Sequence, residues 1–261
     1  MDKEQVKKMA KNPNNIPGIY NYCDRWCERC AFTSRCLNFS MSEEEFSDPE
    51  TQDMQNEKFW EKLNETFKVT LELLQEMAEE QGIDLSSLDL EEGAETEKQD
   101  RKEVENHECT RAGKRYAKMV GEWLKTSKPL FEEKDKELNE KLQLELPNSF
   151  PFVEADEIED GIDVIQWHQH QIFVKLSRAI HGRIDEEREE PDDYPKDSDG
   201  SAKAALIAID RSIAAWGRIL EHFPDQEDEC LKILVHLERL RRKTEKVFPE
   251  ARAFVRPGFD D

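Results

Sequence analysis

Four cysteines, Cys23, Cys27, Cys30 and Cys36, fall in one short segment with the spacing C-x3-C-x2-C-x5-C. Thiolates are soft, charged ligands suited to zinc or iron, and four crowded into so few residues can converge only around a metal or a cluster. Several disulfides in the same stretch would be strained, and a reducing compartment keeps such thiols free. The expected chemistry is metal binding by all four. Tyr20, Tyr22, Trp26 and Phe32 alternate with them and give the knuckle a small apolar skin. Arg25, Arg29 and Arg35 stand among the ligands, as charges that offset the thiolates or pair with acidic neighbours. Cys109 and Cys230 stand alone far downstream on apolar helical stripes and are expected as core side chains.

Two metal species compete for the segment. Zinc closes a tetrahedron of four thiolates, typically through two paired C-x2-C turns, and only one C-x2-C is present. A [4Fe–4S] cluster spreads four iron corners over a larger volume, and irregular gaps suit it. The run Cys27-Glu28-Arg29-Cys30-Ala31-Phe32-Thr33-Ser34-Arg35-Cys36 resembles C-x2-C-x-[FY]-x3-C, the segment found in auxiliary-cluster (SPASM-type) domains of radical SAM enzymes and in the iron staple of RecB-like nucleases. The resemblance covers these residues alone and implies that Cys27, Cys30 and Cys36 help hold a [4Fe–4S] cluster. Cys23 departs from both patterns by lying just upstream. Neither the barrel of the one family nor the nuclease core of the other is visible, so neither activity is carried over. Cys23-x3-Cys27-x2-Cys30 also has the radical SAM spacing, but Cys36 would close the open iron and no α/β barrel follows. Full thiolate ligation leaves no iron for a substrate. Electron transfer, redox or oxygen sensing toward a protein partner, or stapling of the N-terminal arm, is then the expected work, with a zinc-stapled scaffold as the alternative.

A second set of polar residues falls in helices that are apolar on most sides. Trp167-His168-Gln169-His170 runs on to Lys175 and Arg178, and Asp210-Arg211-Ser212 interrupts an Ala- and Ile-rich stretch. Buried polar groups need partners, and a structural network, such as Asp210 facing Lys175 or Arg178 across a helix contact, is the plainer reading. The sharper reading is a substrate or metal pocket built from Glu108, His168, His170, Lys175 and Asp210. Ferritin-like oxidases use Glu-x-x-His on two helices, and no histidine here has a carboxylate three residues before it. His168 and His170 lie two apart, so on a helix they point in different directions. No catalytic motif is present, and the sequence leans away from an enzyme. Asp197-Ser198-Asp199-Gly200 lacks the other ligands of a calcium loop and reads as a helix cap.

The elements that must position these groups are helical. Phe59/Trp60, Leu63, Phe67, Leu71, Leu74 and Met77/Ala78 recur at three- and four-residue steps and predict a helix over residues 57–81, stopped by Gln81-Gly82. Further helices are predicted over 98–126, 130–144 (Leu138, Leu142 and Leu146 forming a seam, stopped by Pro147 and Pro151), 154–183, 201–221 and 225–247. The 154–183 helix is apolar nearly all round and is expected at the centre. Residues 1–40 form the metal-binding segment, 41–56 an acidic connector capped at Ser42 or Asp48, 84–97 an acidic linker and 248–261 an extended strap. The fold class is all-α: an up-down bundle of four to five long helices within 57–247, carrying an N-terminal four-cysteine knuckle.

Composition limits the partners. With 38 Lys and Arg against 60 Asp and Glu, the chain carries a formal charge of −22. Such a surface repels phosphate backbones and anionic lipid, so neither nucleic acid nor a membrane is an expected partner. No apolar run approaches the roughly 20 residues that span a bilayer, and Met1-Asp2-Lys3-Glu4 lacks a secretory apolar stretch, so the expected location is cytoplasmic.

Overall fold

The computed structural model describes residues 1–87, 90–144, 149–188 and 195–260. Ten α-helices occupy them: α1 (Lys3–Ala10), α2 (Leu37–Glu45), α3 (Pro49–Gln52), α4 (Glu57–Glu80), α5 (Leu90–Asn106), α6 (Glu108–Thr126), α7 (Lys128–Gln143), α8 (Pro151–Glu186), α9 (Asp197–His222) and α10 (Glu227–Val247). Short 3-10 turns join some of them, and no strand occurs among the described residues. The chain is all-α, a helical bundle, as the periodicity predicts. It divides into two compact units, residues 1–97 with 255–261, and residues 98–254.

The second unit holds the bundle. Ile158, Ile165, Ile172 and Ala179 recur every seventh residue of α8 and are buried, which makes α8 the helix on which α6, α7 and α9 pack. Along α9, Ala202, Ala205 and Ala208 are buried and small enough to let the two backbones approach. On α6, a Cβ at Gly113 would stand 2.8 Å from the Cβ of Phe173, so that crossing tolerates only glycine. The α10 helix closes against α6 and α9 through Ile233, Leu237 and Leu240. At the centre Trp123 and Trp216 meet edge to face with centroids 4.9 Å apart, and the Trp216 indole N–H donates to the Tyr116 hydroxyl at 3.2 Å. Cys109 and Cys230 are buried in this core, as expected from their stripes.

Several boundaries differ from the sequence reading, each for a local reason. The predicted linker 84–97 runs largely through α5, because Glu, Lys, Gln and Ala are good helix formers even where no apolar stripe marks them. The predicted 98–126 helix is two helices, broken at His107, whose Nδ1 accepts the Cys109 N–H at 3.2 Å and so caps α6. Pro151 begins α8 at its first position, where its missing N–H costs nothing. Helix α9 begins at Asp197, so the Asp197-Ser198-Asp199-Gly200 run read as its cap forms its first turn. Asp48 caps α3, whereas Ser42 sits within α2. Leu142 is exposed, and Leu146 and Pro147 lie outside the described residues. The tail beyond Phe248 folds through successive turns in place of an extended strap.

The first unit contains α1 to α4 and the cysteine segment. Helix α4 ends as expected: Gly82 takes φ 70°, its N–H bonds to the Glu79 carbonyl and the Ile83 N–H to that of Ala78 at 2.8 Å, a Schellman closure. Helix α1 lies on α4 through Glu76, which pairs with Lys3 at 2.8 Å and with Lys7. Among the described residues of this unit, only Ile19 and Ala78 are buried apolar side chains. That is very little core for a unit of its length.

Candidate metal centre

The cysteine segment is built from three single 3-10 turns, Ile19–Asn21, Cys27–Arg29 and Thr33–Arg35. Such turns bring residues three apart onto one side. The Cys30 N–H donates to the Cys27 carbonyl at 3.1 Å and the Cys36 N–H to that of Thr33 at 3.2 Å, so Cys30 and Cys36 each close a turn. Between Cys23 and Cys27 the backbone reverses at Arg25, whose φ of 60° lies in the left-handed region that non-glycine residues rarely adopt. The Asp24 carboxylate holds the following turn by accepting the Trp26 N–H at 3.1 Å. A strained residue held between two ligand candidates shows that the surrounding structure fixes this loop.

All four thiols, each half-buried and free of any disulfide, line one pocket. Ile19, Trp26, Phe32, Phe39 and Phe259 complete its apolar wall. Phe259 arrives from the far end of the sequence and meets Phe32 edge to face at 5.2 Å, while Gly258, at φ 73°, lets the tail pass beside Ile16 and Ile19. The Phe32 N–H donates to the Cys30 sulfur at 3.4 Å, and the Cys23 thiol points its proton at the Tyr20 carbonyl at 3.5 Å. Burial pushes the Cys27 thiol above its ordinary pKa, and the neighbouring Cys23, Cys36 and Cys30 add to that. No three of the sulfurs lie within 4.8 Å of one another. The Arg29 guanidinium stacks over the Trp26 ring at 4.0 Å, and Arg35 reaches the Asn14 carbonyl at 3.1 Å, so two of the three arginines have fixed positions within the knuckle.

No known protein family, curated protein or solved structure matches this chain. Among the described residues no helix is long and apolar enough to cross a membrane.

The polar residues of the bundle do not come together. Glu108 is exposed on α6 and pairs with Lys243 of α10. His170 is exposed and packs edge-on to Phe173. Asp210 pairs with Arg252 at 2.6 Å and with Arg241 at 3.5 Å, while Arg178 pairs with Asp197 at 2.7 Å, so the expected pairing of Asp210 with Lys175 or Arg178 is replaced. Arg252 meets Asp210 and the Phe254 carbonyl accepts from Lys203, so the turns after Phe248 run back along α9. His168 and Lys175 are buried along α8. Among the described residues Asp100, His181 and Asp185 do converge, a group not legible beyond the His-x3-Asp spacing within α8. There the Nδ1 of His181 stands 3.0 Å from Asp185, and both Asp100 oxygens accept from the Arg188 guanidinium, which holds that carboxyl well below the usual range. That guanidinium accounts for the group without an ion.

Proposed function

We propose that Cys23, Cys27, Cys30 and Cys36 hold a [4Fe–4S] cluster and that the protein works in electron transfer or redox sensing toward a protein partner. The observation that carries this reading is that all four thiols, none of them in a disulfide, line one pocket. A single C-x2-C with longer gaps on either side suits a cluster with four separated corners better than a zinc tetrahedron built from paired C-x2-C turns. The sparse core of the first unit supports the same reading, because a unit burying only Ile19 and Ala78 needs another source of folding energy and metal ligation supplies it.

One-electron exchange is the chemistry such a cluster supplies when bound. The chain's own contribution is environment. Four protein thiolates leave no coordination position for a substrate, Phe32, Phe39 and Phe259 keep water off one side, and the Phe32 N–H is aimed at the Cys30 sulfur. Arg25, Arg29 and Arg35 add positive charge beside thiolates in an otherwise acidic chain, which favours the more negative, reduced form.

Protein purified without oxygen is expected to contain about four irons and four acid-labile sulfides per chain, with a brown absorbance that bleaches on reduction. Replacing Cys27 or Cys36 by Ser should remove most of that absorbance. One colourless zinc per chain, or full colour retained in both variants, would sink the cluster assignment.

A further inference from the structure

We infer that the exposed face of α4 is a docking surface for a basic amphipathic helix of a partner protein. Trp60, Phe67, Leu71, Leu74 and Met77 lie on one stripe of α4, and each is from 53% to 60% exposed. They span about 25 Å at 1.5 Å per residue, the length of a helix-in-groove contact. Isolated apolar residues on a surface are ordinary, but five large ones in register are an interaction face. The opposite side of α4 is already used, with Glu76 held by Lys3 and Lys7 and Thr66 donating to Glu45 at 2.9 Å, so the stripe is what remains of the helix surface.

The charge beside the stripe selects the occupant. One flank carries Glu57, Glu61, Glu72 and Glu79, all exposed, against a single Lys68. A partner helix with apolar residues at a and d positions and Lys or Arg beside them would cover the stripe and pair with that flank. A second copy of this chain would bring the same acidic flank and a formal charge of −22 to the contact, and an anionic membrane would meet the same repulsion. The inference does not depend on which metal the cysteines hold; because residues 1–97 are proposed to need that metal to fold, the titration uses the metal-loaded chain.

The test uses the full metal-loaded chain and two synthetic helix-forming peptides of about 20 residues, both with Leu at a and d positions, one with Lys at the flanking positions and its twin with Glu. In calorimetric titration the Lys peptide is expected to bind and the Glu twin to fail. Leu71→Ser with Leu74→Ser, both exposed and checked for unchanged helicity, should weaken binding more than tenfold or so. Glu61→Gln with Glu72→Gln and Glu79→Gln should weaken it by roughly three- to tenfold and flatten its salt dependence. Hydroxyl-radical footprinting of the free chain should oxidise Trp60, Phe67 and Met77 readily, and the Lys peptide should protect them. The proposal is overturned by no binding, by binding indifferent to the Leu71 and Leu74 changes, by a Glu twin that binds equally well, or by side chains already protected in the free chain. A sedimentation mass that doubles and returns to the monomer with the Leu variants would likewise overturn it in favour of self-association.

Discussion

Tyr116 and Trp216 show what a single buried polar contact does for the bundle. Tyr116 is wholly buried, its hydroxyl accepts the Trp216 indole N–H at 3.2 Å, and burial pushes its pKa up to about 12, so it stays neutral at any ordinary pH. Tyr116→Phe keeps the ring and its packing but leaves the fully buried indole N–H of Trp216 without its acceptor. The expected cost is about 1–3 kcal/mol in urea unfolding with an unchanged m-value. A loss below about 0.5 kcal/mol would mean that the indole finds another acceptor. At this scale the sequence is informative where chemistry depends on residue type. The cysteine spacing alone marks the candidate ligands, and the isolated Cys109 and Cys230 read correctly as core. It is silent where chemistry depends on who arrives from afar: nothing near Phe32 announces Phe259, and nothing near His181 announces Asp100, because those meetings are products of the fold.

At the scale of elements, α1 is held by a contact that acid can break. Its attachment to α4 rests on Glu76, whose pKa is lowered to about 2 by its hydrogen bonds with Lys3 and then Lys7. A carboxylate whose folded pKa is depressed contributes stability that is present above its unfolded value near 4.5 and is lost as pH falls through 2. Amide exchange in residues 3–10 should therefore accelerate progressively across that window, ahead of exchange in α8, and Glu76→Gln should give the fast exchange already at neutral pH. Protection of α1 that stays flat across the window would show that the ion pairs do not hold it. Helices with a dense apolar stripe, α8 and α10, were legible in the sequence because burial imposes the period. The first half of α5, residues 90–97, was not, since its surface is charged and only propensity marks it. Pro151 misled for a related reason: a proline reads as a stop from one side and as a first helical residue from the other, and only the following stripe at Ile158 and Ile162 decides between them.

The whole molecule is uneven in how its two units are held. The unit of residues 98–254 buries two clusters of apolar side chains around Trp216 and around Leu206, while that of residues 1–97 and 255–261 buries only Ile19 and Ala78 among the described residues. Hydrophobic burial scales with the area removed from water, so the bundle has an internal source of stability that the first unit lacks. If thiolate ligation makes up that difference, metal removal acts on one unit and not on the other. Calorimetry of the metal-loaded protein should then show two transitions. Stripping the metal with a chelator, or replacing Cys27 and Cys36 by Ser, should abolish the lower one or shift it far down while the bundle transition stays within about 2 °C. Loss of amide protection should be confined to residues 1–97 and the last residues of the tail. A bundle that melts with the metal site would mean that the cysteines stabilise the molecule as a whole. A first unit that melts unchanged without metal would separate the pocket from folding altogether, and would leave redox chemistry as the reason for keeping four thiols beside one another.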